Sequence, residues 1–353
     1  MTADQGANEP MGGSTIVPFP GGSAPVPSAA FSVRLEPQEL ALVADIGGTN
    51  VRFALVSLAD ATQVTEERRW RVGDYPSFAD AARAYLSEVA GQHVRFGMVG
   101  VAGPANEDRI RVTNSAWDFS LEETRRALGL EALFAVNDFA ANGWGVTALS
   151  QNQLVWLGGP REASRRDGVF AILGPGTGLG VGAILTNPEA TTIIASEGGH
   201  VDFAPVSDEE MRIFAWLKQR HHRVSYERLL CGPGLVNIYH AIGGDEGLTD
   251  PAWITRATDD VLAARAVAIF CEVLGSFAGN SALTFGAWDG VYLSGAMLGH
   301  MKPILLAGGF RARFDDKGRF GRELAKVPTL LVEEPSLGLI GAAAALRHRV
   351  GTA

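Results

Sequence analysis

Two glycine-rich turns, each between short apolar runs, constrain the fold of this chain more than any other feature. The first turn reads DIGGTNVR over residues 45–52 and separates the runs Ala41–Ala44 and Phe53–Val56. The second reads GPGTGLG over residues 174–180 and separates two similar runs. A turn of this kind directs consecutive backbone N–H groups at one point, and glycine permits positive φ and the close approach of a phosphate. Two such turns therefore predict a duplicated fold that binds a polyphosphate from both sides.

Strand and helix signals alternate along both halves of the chain. Short apolar runs predict strands at Ala41–Ala44, Val51–Leu58, Phe96–Val101, Leu133–Val136, Val169–Leu173, Val181–Leu185 and Val291–Leu293. Apolar residues at helical spacing predict helices at Phe78–Val89, Asp259–Phe277 and Leu337–Leu346. Because each half begins with a hairpin and then adds strands and helices, we predict a duplicated α/β fold with a cleft between the halves.

Composition divides the chain into three segments. Residues 1–38 are dominated by Gly, Pro, Ser and Ala without periodicity, which favours a disordered tail over an arm that docks on a partner. Residues 39–140 are predicted to form a small N-terminal α/β lobe and residues 141–353 a large α/β lobe. The C-terminal helix of the large lobe is predicted to return to the N-terminal lobe.

Charge and cysteine content argue against several classes of function. The net charge is −9 and the basic residues form only short clusters, so we expect no nucleic-acid partner. The two cysteines, Cys231 and Cys271, provide neither a disulfide framework nor a zinc cluster, which favours a cytoplasmic location. The longest apolar stretch, Leu337–Leu346, is too short to cross a membrane, and no basic residue precedes Arg34 as a secretory signal would require.

Asp45, at the start of the first turn, carries a charge that a phosphate would repel. A carboxylate in this position is suited to hold Mg²⁺ through water, because Mg²⁺ keeps several of its waters when it carries a nucleotide. Thr49 and Asn50 add donors for phosphate oxygens. The alternative is that Asp45 only caps a hairpin turn, and the presence of the second turn makes this alternative the weaker one.

Asn137 and Asp138 follow a predicted buried strand, at the end where ligands bind in open α/β sheets. Phosphorylation of a sugar needs a group that accepts the hydroxyl proton as the oxygen attacks the γ-phosphoryl group, and a carboxylate can do this. We therefore predict Asp138 as a general base and Asn137 as a hydrogen-bonding partner of a neighbouring hydroxyl. Taken alone, an Asn-Asp pair after a strand is more often an ordinary turn.

Glu197 and His200 flank two glycines, so both side chains can point into one pocket and bracket vicinal hydroxyls of a sugar. The alternative is a metal site formed with Asp202, but no further His or Cys lies close by in the sequence. Glu227 precedes a Gly-Pro-Gly turn and offers another carboxylate. The alternative for Glu227 is a surface ion pair with a neighbouring arginine.

Six sequence blocks occur in a characteristic order. They are ADIGGTN at 44–50, TNSAW at 113–117, NDF at 137–139, GPGTGLG at 174–180, EGGHVDFAP at 197–205 and ERLLCGPG at 227–234. Through these blocks the chain resembles, from Ala41 to Leu346, the bacterial glucokinase family within the superfamily of sugar kinases, Hsp70 and actin. The resemblance implies a duplicated ribonuclease-H-like fold, the actin-like ATPase fold, with two lobes and an interlobe cleft.

The resemblance also implies roles for individual positions. It makes Asp138 the general base, and it implies that the sugar is bound by Asn114, Asn137, Asp138, Glu197, His200 and Glu227. It implies nucleotide binding by Ala44, Asp45, Ile46, Gly47, Gly48, Thr49, Asn50, Gly174, Gly176, Thr177, Gly178, Gly180 and Gly295, the last of these near the adenosine. ATP and Mg²⁺ are the expected cofactors, with Asp45 holding the metal through water.

The reaction expected from the resemblance is ATP-dependent phosphorylation of D-glucose at its 6-hydroxyl to glucose 6-phosphate, the first step of glycolysis. Two alternatives stay open: a kinase for another hexose, such as fructose, mannose or an N-acetyl amino sugar, and a sugar-responsive regulator without activity. A cytoplasmic homodimer without nucleic-acid or membrane partners is also expected. Pro175 and Ala296 depart from the family pattern, and the chain lacks the cysteine-rich zinc motif of the repressor and kinase branch.

Overall fold

The computed structural model describes residues 39–89, 94–105, 107–112, 115–161, 167–257 and 259–351. The predicted N-terminal tail, residues 1–38, lies outside the described residues, and so does Asn114. The described residues form two mixed β-sheets with helices packed on their faces.

Every strand and helix predicted from the sequence is found, and their ends differ by a few residues except at the C-terminal end of the helix predicted over Asp259–Phe277. The strands are β1 (Leu40–Ile46), β2 (Asn50–Ser57), β3 (Val64–Arg71), β4 (Val94–Val101), β5 (Arg109–Arg111), β6 (Asp118–Ser120), β7 (Ala132–Asn137), β8 (Leu154–Gly158), β9 (Gly168–Pro175), β10 (Leu179–Thr186), β11 (Thr191–Ser196), β12 (Gly290–Leu293) and β13 (Thr329–Val332). The helices are α1 (Phe78–Glu88), α2 (Leu121–Leu128), α3 (Asp138–Ala148), α4 (Asp208–Arg220), α5 (Gly232–Ala241), α6 (Pro251–Arg256), α7 (Val261–Phe285), α8 (Ala296–Leu306), α9 (Gly309–Asp315), α10 (Gly321–Leu324) and α11 (Leu337–Val350).

The two large sheets repeat one topology, which confirms the predicted duplication. The five-stranded sheet has the order β3-β2-β1-β4-β7, and the six-stranded sheet has the order β11-β10-β9-β12-β13-β8. Each begins with an antiparallel hairpin, β1–β2 or β9–β10, that one of the glycine turns closes. The first strand of each hairpin also pairs in parallel with a later strand, β4 or β12. β8 is an additional antiparallel edge strand on the second sheet.

The helix that ends each repeat packs against the sheet of the other repeat. α3 follows β7 of the first sheet and packs on β10 and β11 of the second. α11 follows β13 of the second sheet and packs on β1, β2 and β4 of the first. The two helices cross closely, because Gly145 and Gly341 have no side chains to keep the backbones apart. The predicted lobe boundary between residues 140 and 141 therefore falls inside a helix that contacts both sheets.

Local sequence signals explain where several helices begin and end. Ser77, Ser120 and Asp260 precede α1, α2 and α7, and each side chain accepts a hydrogen bond from a backbone N–H of the first turn. α2 and α7 end at Gly129 and Gly286, which have φ of 70° and 65°. α7 was expected to end at Phe277, and it continues because this glycine stop lies beyond the apolar residues on which the prediction rests.

α7 is also the one helix of the described residues that is long and apolar enough to cross a membrane. It has 25 residues, and 67% of its apolar window is buried inside the protein. The expectation that Leu337–Leu346 is the longest apolar stretch missed this helix, because Arg265, Glu272 and Asn280 interrupt its sequence. The burial of α7 is that of a core helix of the second repeat.

Candidate active site

The carboxylate of Asp138 lies where the two repeats meet. Asp138 is the first residue of α3 and follows β7 directly. Its Oδ1 accepts hydrogen bonds from the N–H of Phe139 at 2.8 Å and from Nδ2 of Asn137 at 3.2 Å. One oxygen of the predicted base is thus fixed by the first turn of α3.

Burial raises the pKa of Asp138 to about 6. The negative charges of Asp45 and Glu197 act in the same direction, whereas the hydrogen bond from the N–H of Phe139 opposes the shift. Asp45 lies on β1 of the first sheet and Glu197 follows β11 of the second, so charges from both repeats act on this carboxylate. A carboxylate with this pKa is mostly ionised at neutral pH and is more basic than an exposed aspartate.

The amide of Asn137 is fully engaged in hydrogen bonds within the protein. Its Oδ1 accepts from the N–H groups of Phe139 and Ala140, each at 3.0 Å. Its Nδ2 donates to the carbonyl of Gly103 and to Oδ1 of Asp138, each at 3.2 Å. A carboxamide has two donors and two acceptor lone pairs, so a sugar hydroxyl would have to replace one of these partners. In this arrangement Asn137 caps α3 and positions Asp138.

Asp45 in the first turn is bound by Arg52, its partner across the β1–β2 hairpin. Nη2 and Nε of Arg52 donate to Oδ2 of Asp45 at 2.6 and 3.2 Å. Nη1 of the same guanidinium donates to the carbonyl of Pro335 at 2.7 Å, just before α11. Arg52 therefore ties the first turn to the start of the helix that ends the second repeat. The sequence alone does not reveal this role, because Pro335 lies 283 positions away.

Two of the predicted nucleotide-binding residues in the first turn point away from the cleft. The side chains of Ala44 and Ile46 are fully buried in the core of the first sheet. Any contact of these two residues with a nucleotide has to be made through backbone atoms. The remaining predicted residues of the turn are at least partly exposed: Asp45, Gly47, Gly48, Thr49 and Asn50.

The glycines of both turns have ordinary backbone angles. Positive φ, which the sequence analysis expected, is absent from Gly47, Gly48, Gly174, Gly176, Gly178 and Gly180. That part of the expectation is wrong, and neighbouring side chains explain Gly174, Gly178 and Gly180 instead. A Cβ on Gly178 would lie 2.7 Å from Oε2 of Glu227, whereas a Cβ on Gly176 would meet nothing within 4 Å. Gly176 is the one glycine of the second turn with open space where a side chain would be.

Gly295 is the predicted nucleotide-binding residue whose backbone does require glycine. Its φ is 135°, and a Cβ at this position would overlap the carbonyl oxygen of Pro175. Gly295 directly precedes α8. Because it contacts Pro175, the segment expected to bind adenosine lies against the second turn.

Glu197, His200 and Glu227 come together beside the second turn. Nε2 of His200 is 3.8 Å from Oε2 of Glu197, and Nδ1 of His200 is 3.7 Å from Oε1 of Glu227. The imidazole lies between two carboxylates and its side chain is 57% exposed. Such a cluster presents both donors and acceptors to the hydroxyls of a ligand. The predicted proximity of Glu197 and His200 is present, and Glu227 joins them.

Glu227 also binds the second turn. Its Oε2 accepts a hydrogen bond from the N–H of Leu179 at 2.9 Å. A second link joins the same two segments, because the N–H of Gly232 donates to the carbonyl of Gly176 at 2.8 Å. Within the described chain Glu227 forms no ion pair with an arginine, which contradicts the surface-pair alternative.

The alternative metal site with Asp202 is not formed among the residues that the structure describes. Asp202 binds Arg223, and no group of three or more His, Cys, Asp or Glu side chains in the described ranges could hold a metal. Mg²⁺ needs fewer protein ligands, since one or two carboxylates together with substrate phosphates commonly bind it. Asp45 fits this need, because both hydrogen bonds from Arg52 go to Oδ2 and none of those described occupies Oδ1.

Comparison with known sequences identifies a family. The family profile described as glucokinase matches residues 42–349. A curated glucokinase from Stenotrophomonas maltophilia is 43% identical over 314 residues, which are 86% of this chain and 93% of that protein. The match therefore includes both repeats and all the described candidate site residues.

Solved structures agree with the sequence comparison. A glucokinase from an Antarctic psychrotroph has a TM-score of 0.79 at 33% identity, over 88% of this chain and 99% of that one. A ROK family glucokinase from Streptomyces griseus, solved in complex with glucose and AMPPNP, has a TM-score of 0.60 over 88% and 99% of the two chains; its 19% identity supports the shared fold alone. These sugar kinases have the actin-like two-domain fold, which confirms the predicted fold class. By sequence and by fold, this chain belongs to the glucokinase family, whose enzymes phosphorylate sugar with ATP.

Proposed function

We propose that this protein transfers the γ-phosphoryl group of ATP to the 6-hydroxyl of D-glucose, the first step of glycolysis, with Asp138 as the general base. The position of Asp138 carries the proposal. It is a partly buried carboxylate at the carboxyl end of β7, and charged groups from both repeats act on it. The Streptomyces griseus relative, which shares the fold, binds glucose together with AMPPNP.

In the proposed reaction, Asp138 accepts the proton of the 6-hydroxyl while that oxygen forms a bond to the γ-phosphorus. The bond from the γ-phosphorus to the bridging oxygen breaks, and ADP leaves with that electron pair. The pKa of about 6 keeps the carboxylate ionised at neutral pH and raises its affinity for the proton. Its place in the first turn of α3 favours the ionised form and offsets part of the cost of burial.

The cluster of Glu197, His200 and Glu227 is proposed to bind the sugar hydroxyls that do not react. The carboxylates accept hydrogen bonds from hydroxyl groups, and the imidazole between them donates or accepts. Glu227 is held by the N–H of Leu179, so a hydroxyl bound to its other oxygen would lie at a set distance from the second turn. This link supports a sugar site next to the phosphate site.

The two glycine turns are proposed to bind the phosphates of ATP, with the adenosine near Gly295. Gly176 and Thr177 are exposed, and Gly176 has open space where a side chain would be. Asp45 would hold Mg²⁺ through water, and the metal would neutralise phosphate charge when bound. Arg52 fixes the orientation of Asp45 for this role.

A coupled assay with the full-length protein and MgATP tests the proposal, with glucose, mannose, fructose and N-acetylglucosamine as acceptors. We expect glucose to give the highest kcat/KM, with glucose 6-phosphate and ADP formed in equal amounts. A higher kcat/KM for another hexose would change the proposed substrate and keep the reaction. Sugar binding by calorimetry without turnover on any hexose would contradict the enzyme and favour the regulator.

A further inference from the structure

Phe139, the residue after the proposed base, fills a gap between two glycines of the second turn. Gly174 and Gly180 are direct partners in the β9–β10 hairpin, so the absence of both side chains opens one continuous space. The aromatic ring of Phe139 occupies that space. A Cβ on either glycine would overlap ring atoms of Phe139.

The backbone conformation does not explain why these two positions are glycine. Neither Gly174 nor Gly180 has positive φ, so alanine would be acceptable to the main chain at both. The nearest atoms to a Cβ on Gly180 are three carbons of the ring, Cδ2, Cε2 and Cγ. The ring of Phe139 is therefore the group for which this pair of glycines makes room.

The main chain of Phe139 holds the base. Its N–H donates to Oδ1 of Asp138 at 2.8 Å, and to Oδ1 of Asn137 at 3.0 Å. Its ring packs in the apolar cluster between α3 and the second sheet. One residue thus contacts the proposed base through its backbone and the proposed phosphate turn through its side chain.

We propose that Phe139 is a positioning residue that sets the separation between Asp138 and the second glycine turn. Asp138 belongs to the first repeat and the turn to the second, so no shared strand fixes their distance. A rigid ring in a closely fitting gap can fix it. The inference rests on the proposed function, because the separation matters only if the base and a phosphate act on the same hydroxyl.

Steric complementation tests this role. Gly180→Ala adds a methyl group where the ring lies, and Phe139→Ala removes the ring. We expect each variant to lower kcat about 100-fold, the cost of displacing a reacting group by about 1 Å, while the KM for glucose changes less than about threefold. In the double variant the new methyl group fits the vacated space. The kcat of the double variant should therefore equal that of the less active single variant. If the two substitutions acted independently, their losses would multiply and kcat would fall about 10⁴-fold.

Gly143→Ala is the matched control. Gly143 lies on α3, and a Cβ there would be 2.8 Å from Cγ2 of Ile193 on the second sheet. This substitution also crowds the interface between α3 and the second sheet, but it does so away from Asp138. We expect it to lower the melting temperature and to keep kcat within about threefold of the wild type.

Multiplicative losses in the double variant, or unchanged kcat in the Phe139→Ala variant, would overturn the proposal. If Gly180→Ala fails to fold, Phe139→Leu provides the test. A kcat of this variant equal to that of the wild type would also overturn the positioning role of the ring. Failure of the proposed function is a separate result. In that case the wild type does not phosphorylate hexoses, while the contact of Phe139 with Gly180 still appears as non-additive free energies of unfolding.

Discussion

The two glycine turns share a sequence pattern, but different interactions hold them in place. In the first turn, the guanidinium of Arg52 binds Asp45 and the carbonyl of Pro335 at the start of α11. In the second turn, the ring of Phe139 on α3 fills the space beside two glycines. The first contact reaches the segment just before α11, and the second comes from α3, so each turn is linked to the other repeat at the start of its end helix. The two repeats share one topology, but an ion pair holds the first turn and the packing of an aromatic ring holds the second.

The same comparison shows that the starts of the two end helices differ in charge. α3 begins with Asp138 beside the second turn, whereas α11 begins with Leu337 and Gly338 beside the first. A Cβ on Gly338 would be 3.2 Å from Oδ2 of Asp45, so this glycine leaves room for the carboxylate of the turn. One helix start supplies a carboxylate and the other accommodates one. The proposed chemistry is asymmetric because the first turns of these two helices differ.

Removing the carboxylate of Asp138, the proposed base, should have the largest effect and should leave both turns in place. We expect Asp138→Ala to lower kcat by about 10²–10⁴-fold, the contribution of a general base, while glucose and ATP still bind. Steady-state assays measure kcat, and calorimetry measures the dissociation constants of glucose and ATP. Asp202→Ala, which removes a carboxylate outside the cluster, is the control and should keep kcat. Near-normal kcat in Asp138→Ala would remove Asp138 from the role of base.

Neighbouring glycines of the second turn should affect different substrates. Gly178→Ala places a methyl group against Oε2 of Glu227, whereas Gly176→Ala meets open space. We expect Gly178→Ala to raise the KM for glucose about tenfold and Gly176→Ala to raise the KM for ATP about tenfold, each the effect of one weakened hydrogen bond. Each substitution should leave the other KM nearly unchanged. The opposite pattern would mean that the turn faces the sugar at Gly176.

The first turn should respond to charge rather than to size. Arg52→Gln removes the ion pair with Asp45 and the hydrogen bond to the carbonyl of Pro335. Both side chains of the ion pair are about a quarter exposed. We expect a loss of about 1–2 kcal/mol in the free energy of unfolding and a severalfold rise in the KM for ATP. Arg52→Lys keeps the charge without the two-sided contact and should give intermediate values. Wild-type stability and KM in Arg52→Gln would show that the link to α11 does not hold the turn.

The smallest expected effect concerns the cost of burying the charged carboxylate of Asp138, the proposed base. The pKa of Asp138 rises from 3.8 to about 6 on folding, so its ionisation above pH 6 disfavours the folded state. Asp138→Asn keeps an acceptor for the N–H of Phe139 and removes the charge. At about pH 7.5 we expect this variant to be about 1 kcal/mol more stable in urea denaturation than the wild type, less than the full shift because the carboxylate is partly exposed. The difference should shrink as pH falls through 6 and vanish below about pH 4, whereas a constant difference would point to packing.

Short-range patterns made much of the fold and part of the site predictable. Each hairpin is encoded by two apolar runs and a glycine turn, and the duplicated topology follows from finding that unit twice. The position of Asp138 at the end of β7 was predictable from the apolar run before it, whereas its role as a base rests on the family resemblance and stays a prediction. Glu197 and His200 meet because two glycines let the chain bend between them. The role of Asn114 stays a prediction, since that residue lies outside the described chain.

The reason for a glycine could not be predicted, because it depends on what lies opposite the missing side chain. In one turn, Gly176 faces open space, Gly178 faces Glu227 and Gly180 faces Phe139. All three are alternate glycines of the same GPGTGLG run, so the sequence does not distinguish them. The contact between Arg52 and Pro335 was out of reach for a similar reason, since only the tertiary fold brings the two segments together.

The exchange of end helices has a consequence for the order in which the protein matures on the ribosome. The first sheet is translated early, but α11, which covers the face containing Ala41, Val43 and Ala54, is translated last among its elements. Until α11 emerges, that apolar face lacks the helix that covers most of it and is exposed to other nascent chains or to chaperones. The N-terminal repeat therefore cannot complete its core during translation, and a message truncated before α11 would yield two unfinished halves rather than one working half.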